Sequence, residues 1–292
     1  MNRPVSKQAR KILLPADGLE LGPRTLIMGV VNVTPDSFSD GGLFYEEAQA
    51  VEQGLALAEA GADILDVGGE STRPGSEPTP ANEEMDRVLP VIEALARHCS
   101  AVISVDTYKA QVARAAVEAG AQIINDITSL GGDPDMARTA AQTKAGLVLM
   151  HMKGEPRTMQ ADPTYGDVVA EVRDFLAQRA GKALEAGVAP EAIVLDPGIG
   201  FGKTLEHNLA LIRNLGYLAR LGHPVLLGAS RKSFIGALTG RPTPGERLWG
   251  SVGVHVLGAA LGADIVRVHD VAHLKEALAV CDAVMAQEEH HD

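Results

Sequence analysis

Eight short, mostly apolar segments of the chain end at, or just before, side chains that can bind a ligand or carry charge. These side chains are Asn32, Glu70, Asp106, Asn125, His151, Asp196, Ser230 and His269. Strands that are buried on both faces are otherwise near-continuous apolar runs, so polar residues at so many ends need an explanation. They indicate one shared polar site, although any single one of them can instead begin a loop.

Arg267 and His269 alternate along the last of these segments, and alternate residues of a strand point to the same side. Together with Asn32 from the first segment, they predict an anion site for phosphate or pyrophosphate. The sequence contains neither a P-loop nor a GxGxxG motif, so a whole nucleotide is not indicated. In the alternative interpretation, Arg267 forms a structural ion pair with Asp264 or Asp270.

Asp106, Asn125 and Asp196 form a second set of polar side chains at segment ends. Carboxylate and amide groups together match the donor and acceptor edge of an amino-oxo heterocycle, and Met150 can pack against the face of such a ring. Each acid alone can also cap a helix or form a loop salt bridge, and this alternative is strongest for Asp106, which Thr107 follows.

Two turns rich in small residues complete the candidate site. Residues 228–234 read GASRKSF, where backbone amides with Ser230 and Lys232 can bind an anionic or carbonyl group. Residues 196–204 read DPGIGFGKT, where glycine allows close approach of the backbone and Phe201 can stack on a ring.

The histidines and cysteines lack the spacing of a zinc site. A magnesium ion needs few protein ligands when phosphates supply the others. Asn32 together with Asp36 or Asp40 would be sufficient for such an ion.

The elements that must position these residues alternate regularly. The apolar segments end about every 34 residues, and Ala-, Leu- and Glu-rich segments of helical period lie between them. Eight such units in 292 residues predict an α/β protein with a (β/α)8 TIM barrel in a single domain, whose strand ends open onto one face. An open doubly wound sheet is the alternative.

Two long connections, residues 34–45 and 71–82, are predicted at that same face. Connections in barrels usually span only a few residues. We therefore interpret these two as loops that cover the site; the alternative is that they are tolerated surface insertions. Their side chains that can bind a ligand are Asp36, Ser37, Asp40, Thr72 and Arg73.

Composition excludes several classes of protein. The net charge of −12 disfavours binding to nucleic acid or to an anionic membrane surface. No apolar run is long enough to span a bilayer, and the first ten residues lack the apolar stretch of a signal peptide. Two cysteines outside any CxxC motif favour a reducing, cytoplasmic location.

With these residues in view, the chain closely resembles the dihydropteroate synthases of folate biosynthesis. Its two longest matching stretches are IMGVVNVTPDSFSDGG at 27–42 and GADILDVGGESTRP at 61–74. Shorter matching motifs are SVDTYK at 104–109, INDI at 124–127, LMHMKG at 149–154, LDPGIGFGK at 195–203, SRKS at 230–233 and RVHD at 267–270. The resemblance defines a pterin-binding barrel at 24–286, an N-terminal extension at 1–23 and a solvated tail at 287–292.

The resemblance implies that the chain joins 6-hydroxymethyl-7,8-dihydropterin pyrophosphate to p-aminobenzoate, with Mg²⁺, and releases pyrophosphate. It places Asp106, Asn125, Met150, Asp196, Phe201 and Lys232 around the pterin. It places Asn32, Arg267 and His269 at the pyrophosphate, with Asn32 also at the metal. Phe38, Thr72, Arg73, Pro74 and Ser230 would line the p-aminobenzoate side, where sulfonamides would compete. Asp106, Asn32, Lys232, Arg267 and His269 are the expected catalytic residues.

Residues 248–261 read LWGSVGVHVLGAAL, and a helix that is apolar on every side must be covered on both faces. The resemblance implies a homodimer, in which a second subunit covers one face. The alternative is burial within one chain, under Trp249 and the connection at 231–247.

Three other functions remain possible from the residues. They are a corrinoid-linked methyltetrahydrofolate methyltransferase, a Schiff-base aldolase that uses Lys232, and a non-catalytic pterin-binding paralogue. The intact signatures at 32–42 and 230–233 argue against the first, and Lys232 lies two residues past its strand, which argues against the second. Intact signatures in both long loops argue against the third.

Overall fold

The computed structural model describes residues 10–16, 18–22, 24–33, 43–71, 76–155 and 158–286. Its strands are β1 (Arg10–Ile12), β2 (Leu19–Leu21), β3 (Leu26–Asn32), β4 (Ile64–Gly68), β5 (Val102–Asp106), β6 (Ile123–Asp126), β7 (Gly146–Met150), β8 (Ile193–Asp196), β9 (Leu226–Leu227) and β10 (Ile265–Val268). Its helices are α1 (Leu43–Glu59), α2 (Ala81–His98), α3 (Ala110–Glu118), α4 (Met136–Thr143), α5 (Val168–Glu185), α6 (Leu205–Arg213), α7 (Leu215–Ala219), α8 (Ser233–Thr239), α9 (Leu248–Ala260) and α10 (Val271–Met285). Among the described helices, none combines the length and apolar character that a bilayer crossing requires.

Eight parallel strands form one sheet in the order β8-β7-β6-β5-β4-β3-β10-β9. A parallel bridge between Leu195 and Val225 joins the two ends of this sheet. The sheet therefore curves into a barrel, with helices on its outer surface between consecutive strands. This arrangement confirms the predicted (β/α)8 TIM barrel and excludes the alternative of an open doubly wound sheet.

The interior of the barrel has an apolar lower half and a polar upper half. Inward residues near the amino ends of the strands form one buried cluster, which contains Leu26, Met28, Ile64, Ile123, Val148, Val194, Leu226 and Ile265. Two or four residues further along the same strand faces, alternation brings polar side chains inward. These include Asn32, Asp66, Ser104, Asp106, Asn125, Asp196 and Arg267, and we call this upper interior, together with Met150, the mouth.

A small antiparallel hairpin closes the lower end of the barrel. It pairs β1 with β2, and Ile12 and Leu21 belong to the interior cluster. Between the two strands, Leu14 is buried and the backbone N–H of Leu13 donates to the carbonyl of Glu191 at 3.1 Å. Part of the predicted N-terminal extension is thus packed into the barrel core.

The helices differ from the predicted pattern at three places. The pattern did not predict α4 and α8, which have only 8 and 7 residues, too few for a helical period to be recognised. Residues 205–221 belong to one of the segments of helical period, but they form two helices, α6 and α7. They are separated at Asn214, where φ is −112° and the side chain donates to the carbonyl of Ala210.

Candidate active site

A slanted row of neighbouring residues crosses the mouth. The strand register pairs Asn32 with Gly68, Gly68 with Asp106, and Asp106 with Asn125. Gly68 has no side chain, and a Cβ atom there would lie 3.4 Å from the Cβ of Asp106. The row therefore has a gap at Gly68. The amide of Asn32 lies on one side of this gap, and the carboxylate of Asp106 and the amide of Asn125 lie on the other.

Below this row, an arginine joins two carboxylates. Arg267 donates from Nε to Oδ2 of Asp66 at 2.6 Å and from Nη2 to Oδ2 of Asp106 at 2.8 Å. Asn125 donates from Nδ2 to the same oxygen of Asp66 at 3.0 Å. The alternative partners predicted for Arg267 were wrong, since Asp264 instead accepts from the backbone of Val225.

Asp270, the other alternative partner of Arg267, is bound by Arg231. Asp106 does not cap a helix either, because α3 begins only at Ala110. The side chain of Asp106 is instead held by Arg267. The carboxylate of Asp106 is therefore part of the mouth, as the functional prediction required.

Burial governs the electrostatics of this network. Burial raises the pKa of Asp106 to about 7, although Arg267 lowers it and Asp66 raises it further. Burial opposes the charge on Arg267, but the two carboxylates together raise its pKa above the ordinary value. The guanidinium is thus fixed as a cation at the floor of the mouth, and Asp106 changes its charge near neutral pH.

Asp66 is a site residue that was not predicted from the strand ends. Its side chain is fully buried, and Oδ1 has no hydrogen-bond partner among the described residues. The neighbouring Ser104, its partner in the strand register, also has a buried hydroxyl without a described partner. The signal in the sequence was a carboxylate in the middle of an apolar strand, two residues after inward-facing Ile64.

On the opposite wall, Asp196 is held so that one of its oxygens faces the interior. The backbone N–H of Gly198 donates to Oδ1 at 2.7 Å. A Cβ atom at Gly228 would lie 3.7 Å from Oδ2 and 3.9 Å from the Cβ of Arg267. The missing side chain at Gly228 thus opens a space between a buried carboxylate and the arginine.

Lys232 lies on this same wall. Its ammonium donates to the carbonyl of Ile199 and lies 4.4 Å from the ring centre of Phe201. Burial lowers the pKa of Lys232 to about 8 while Asp196 raises it, and burial also raises the pKa of Asp196. The buried Met150 pairs in register with Asp196, so this wall combines apolar and charged groups.

The turn that carries Ser230 and Lys232 is held in an unusual conformation. Arg231 has φ of 58°, a left-handed value that a non-glycine residue rarely adopts. Contacts of both the side chain and the backbone hold Arg231 in this conformation. Its side chain binds Asp270, and its backbone N–H donates to the hydroxyl of Ser251 at 2.9 Å. Ser230 and Lys232 on either side of Arg231 are thereby set in place.

His269 contacts Ser230. The hydroxyl oxygen of Ser230 accepts from the backbone N–H of His269 at 3.2 Å, and it lies 2.9 Å from Nδ1 of the same histidine. The predicted pyrophosphate and p-aminobenzoate sides are therefore adjacent here. Arg267, in contrast, is turned towards Asp66 and Asp106, so the structure does not bring Arg267 and His269 together by any described contact.

Two of the polar residues at strand ends lie outside the mouth. The ring of His151 packs edge-on against Phe175 of α5, with 4.8 Å between ring centres. Glu70 binds Lys109 and accepts from Tyr108 and from the backbone of Thr79. The interpretation of one shared site therefore fails for these two positions.

Several predicted residues lie outside the part of the chain that the structure describes. They are Asp36, Ser37, Phe38, Asp40, Thr72, Arg73 and Pro74. Within the described ranges, no group of three or more His, Cys, Asp or Glu side chains is arranged to hold a metal ion.

Comparison with known proteins identifies the family of this chain. The profile of the family described as pterin binding enzyme matches residues 28–269. A dihydropteroate synthase from Synechocystis is 48% identical over 263 residues, which cover 90% of this chain and 91% of the relative.

Solved structures agree over nearly the whole chain. The Xanthomonas albilineans dihydropteroate synthase with 4-aminobenzoic acid has a TM-score of 0.89 and 48% identity, and the match covers 96% of this chain and 100% of that chain. The Yersinia pestis dihydropteroate synthase in a sulfonamide drug complex has a TM-score of 0.88 and 43% identity, with 94% and 99% covered. The chain therefore belongs to the pterin-binding enzyme family and, within it, to the dihydropteroate synthases.

Proposed function

We propose that the mouth of the barrel condenses 6-hydroxymethyl-7,8-dihydropterin pyrophosphate with p-aminobenzoate to form 7,8-dihydropteroate and pyrophosphate. The observation that carries this proposal is the hydrogen-bonded set of Asp66, Asp106, Asn125 and Arg267, which faces Asp196 across a space kept open by glycines. The test is an assay of pyrophosphate release, which should require both substrates together. Release from the pterin substrate alone would contradict a condensation.

The pterin ring fits the polar walls of the mouth. Asp196 offers an inward carboxylate oxygen to the amino and ring N–H groups, and Asn125 offers an amide that can donate and accept. Phe201 and Met150 supply the apolar contacts for the faces of the ring. Lys232 supplies a hydrogen-bond donor on the same side.

Charge is stabilised where the bond to pyrophosphate breaks. The leaving group gains negative charge, which Arg267 and His269 can stabilise, and the pterin methylene becomes electron-poor, which the carboxylate of Asp106 can stabilise. The arylamine is already a neutral nucleophile at pH 7, so the reaction needs no strong general base. This agrees with a mouth built from carboxylates, amides and cations and with no Ser-His-Asp or Cys-His arrangement in the motifs.

Asp196→Asn should weaken the binding of the pterin about tenfold to a hundredfold. The amide replaces one acceptor with a donor and leaves a buried polar group unsatisfied, which costs about 1–3 kcal/mol. Calorimetry with the pterin pyrophosphate measures this loss. As a control, Asp174→Asn changes an exposed carboxylate on α5 and should bind as wild type does. Unchanged affinity in Asp196→Asn would remove Asp196 from the pterin site.

Magnesium fits the mouth only as an ion shared with the pyrophosphate. The carboxylates of Asp66 and Asp106 in the mouth are both bound by Arg267, which leaves the amide oxygen of Asn32 as the proposed protein ligand. Mg²⁺ is hard, prefers oxygen and keeps several waters unless phosphates help to hold it. When bound, the ion would neutralise charge on the leaving pyrophosphate.

Asn32→Ala should therefore reduce the coupling between Mg²⁺ and pyrophosphate. In the wild type, Mg²⁺ should bind weakly alone and tightly with pyrophosphate present, and each ligand must strengthen the other by the same factor. Titrations with and without Mg²⁺ measure that factor, and a pterin without phosphates is the control ligand, which should bind both proteins equally. Tight Mg²⁺ binding to the ligand-free wild type, or equal losses for both pterins in Asn32→Ala, would show that the metal site is misplaced.

The p-aminobenzoate side is assigned to Ser230 and to Phe38, Thr72, Arg73 and Pro74. The hydroxyl of Ser230 lies 2.9 Å from Nδ1 of His269, so this residue is next to the proposed pyrophosphate side. The binding of 4-aminobenzoic acid and of a sulfonamide drug by the two related enzymes supports the same substrate and the same competitors for this chain.

A homodimer is proposed through α9 and α10. Trp249 and Leu257 lie on the outer face of α9, at 73% and 51% exposure, and Val280 and Val284 are exposed on neighbouring α10. An apolar patch of this kind on one chain favours a second copy as its cover. Burial under Trp249 within one chain does not account for this face, because Trp249 is itself exposed.

Leu257→Asp should convert the dimer to a monomer, because it buries a charge in the proposed interface. Sedimentation velocity at micromolar concentration measures the change. Leu184→Asp is the matched control, since Leu184 is an exposed leucine on distant α5 and its replacement should leave the dimer intact. A wild-type chain that sediments as a monomer would contradict this assembly.

The location is proposed to be the cytoplasm. Cys99 and Cys281 both lie outside any CxxC motif, which supports a reducing compartment.

A further inference from the structure

A buried lysine that the proposed chemistry does not use lies behind the pterin side. Lys203 is 3% exposed and follows the turn after β8. Its ammonium lies 2.9 Å from Nδ1 of His151, 3.0 Å from the carbonyl oxygen of Phe201 and 3.3 Å from the carbonyl oxygen of His151. An ammonium has three N–H donors, so these three acceptors match it completely.

All three of these partners are uncharged, although burying an ammonium is costly without an opposite charge. Burial lowers the pKa of Lys203 to about 7, against the raising effect of Asp196. Burial also lowers the pKa of His151 to about 3, with Lys203 adding to the effect. The histidine ring is therefore neutral, and its Nδ1 accepts the hydrogen bond from the lysine.

The two segments that Lys203 joins carry side chains of the pterin wall. Met150 immediately precedes His151, and Phe201 lies in the turn that begins at Asp196. Phe201 donates its backbone N–H back to Gly198 within this turn, at 3.1 Å. The ammonium thus connects the end of β7 to the turn after β8.

Close packing between the two segments supports the same connection. Gly198 and Gly202 both have left-handed φ values, 66° and 63°. A Cβ atom at either position would collide with a backbone carbonyl, of His151 or of Lys153 respectively. The turn after β8 therefore lies directly on the segment after β7, and a small separation would move Phe201 relative to Met150.

We propose that Lys203 is a positioning residue for the pterin, which ties the turn after β8 to the segment after β7 and so fixes Phe201 and Met150 on either side of the ring. This proposal rests on the assignment of the pterin to the mouth. Lys203 acts through these residues and through His151, and the contacts of its ammonium are all within the protein. It is therefore distinct from Lys232, whose ammonium lies over the ring of Phe201.

Lys203→Met keeps an unbranched side chain, one atom shorter than lysine, and removes all three donors. We expect the pterin pyrophosphate to bind about tenfold more weakly or worse, because small displacements of positioning groups are costly. The KM for p-aminobenzoate, measured at saturating pterin pyrophosphate, should stay within about twofold, since that side is not tied by Lys203. If Lys203 had a purely structural role, its replacement would change both the pterin affinity and the KM for p-aminobenzoate, or neither of them.

Substitutions at His151 test the same contact from its other side. Asn places a carbonyl oxygen near the position of Nδ1, so His151→Asn should bind the pterin nearly as the wild type does. His151→Leu removes the acceptor and should resemble Lys203→Met. In the double variant Lys203→Met/His151→Leu, the losses should be clearly less than additive. His151→Leu also provides the test if Lys203→Met does not fold.

Hydrogen exchange provides the direct structural measurement. Peptides covering 151–154 and 197–203 should exchange faster in Lys203→Met, while peptides from α10 should not change. Faster exchange with unchanged pterin affinity would overturn the proposal, as would equal losses for the pterin and p-aminobenzoate. Failure of the wild type to bind the pterin pyrophosphate would instead contradict the proposed function, so the two failures can be distinguished.

Discussion

Arg267→Met should lower the rate of dihydropteroate formation by at least about a hundredfold, the size expected when a positioned electrostatic group is removed from a reaction site. It should also lower the free energy of unfolding by about 3–5 kcal/mol, because two carboxylates lose their buried counter-charge. Asp66 is fully buried, and the arginine side chain is 24% exposed. Pyrophosphate release and urea denaturation measure the two effects.

The destabilisation in Arg267→Met should be greater at pH 8 than at pH 5. Burial raises the pKa of Asp106 and Arg267 lowers it, so without the arginine the carboxyl stays protonated to higher pH in the folded state. A raised folded-state pKa favours folding at low pH, and that contribution is lost as the pH rises. Equal destabilisation at both values would argue against an ionic cause.

A second variant separates folding from chemistry. Arg267→Met/Asp66→Asn removes one of the two stranded charges and should recover part of the lost unfolding free energy. It should not recover activity, because the guanidinium is still missing. Recovery of activity in the double variant would show that Arg267 serves only to stabilise the fold.

Binding of a phosphate-free dihydropterin should weaken about a hundredfold between pH 8 and pH 5. Burial raises the pKa of Asp106 to about 7, and a carboxylate that must be ionised loses about a factor of ten in its ionised fraction for each unit below its pKa. Calorimetry across this range measures the effect. A ligand without phosphates is used so that no titration of pyrophosphate contributes.

Two variants show which carboxylate is responsible for this pH dependence. Asp106→Asn should bind the dihydropterin weakly, and its binding should not weaken further as the pH falls from 8 to 5, because no carboxylate at this position is lost by protonation. Asp196→Asn should also bind weakly but should retain the midpoint that belongs to Asp106. If the pH dependence of wild-type binding has its midpoint near 4, then Arg267, and not burial, determines the pKa of Asp106.

The eight-stranded barrel could be predicted because its strands are short, apolar and evenly spaced, and most of its mouth could be predicted because those strands end in polar residues. Asp106, Asn125 and Asp196 are at such ends, and the structure brings all three to the interior. The prediction of site residues failed where a site residue does not lie at the end of its strand. Asp66 is in the middle of its strand, so a search of strand ends passes over it, and its contacts with Arg267 and Asn125 place it in the mouth.

Contacts between distant parts of the chain could not be predicted from spacing. The acids suggested for Arg267 were three residues away from it, but its partners Asp66 and Asp106 are 201 and 161 residues away. Which inward side chains contact each other depends on the relative register of the strands around the closed barrel. A single sequence does not specify this register. The same limit explains why the packing of Lys203 against His151, 52 residues away, was not foreseen.

The hairpin at the lower end of the barrel has a consequence for synthesis of the chain. Leu13 and Leu14 are synthesised before the segments that they contact, since Leu14 packs on Gly146 and the backbone N–H of Leu13 donates to the carbonyl of Glu191, about 180 residues further along the chain. At roughly 5–20 residues per second, the hairpin must wait about 10–35 s for its site to be made. During that interval its apolar residues are open to chaperones, and an N-terminal fusion partner that folds quickly would be held next to them until the barrel closes.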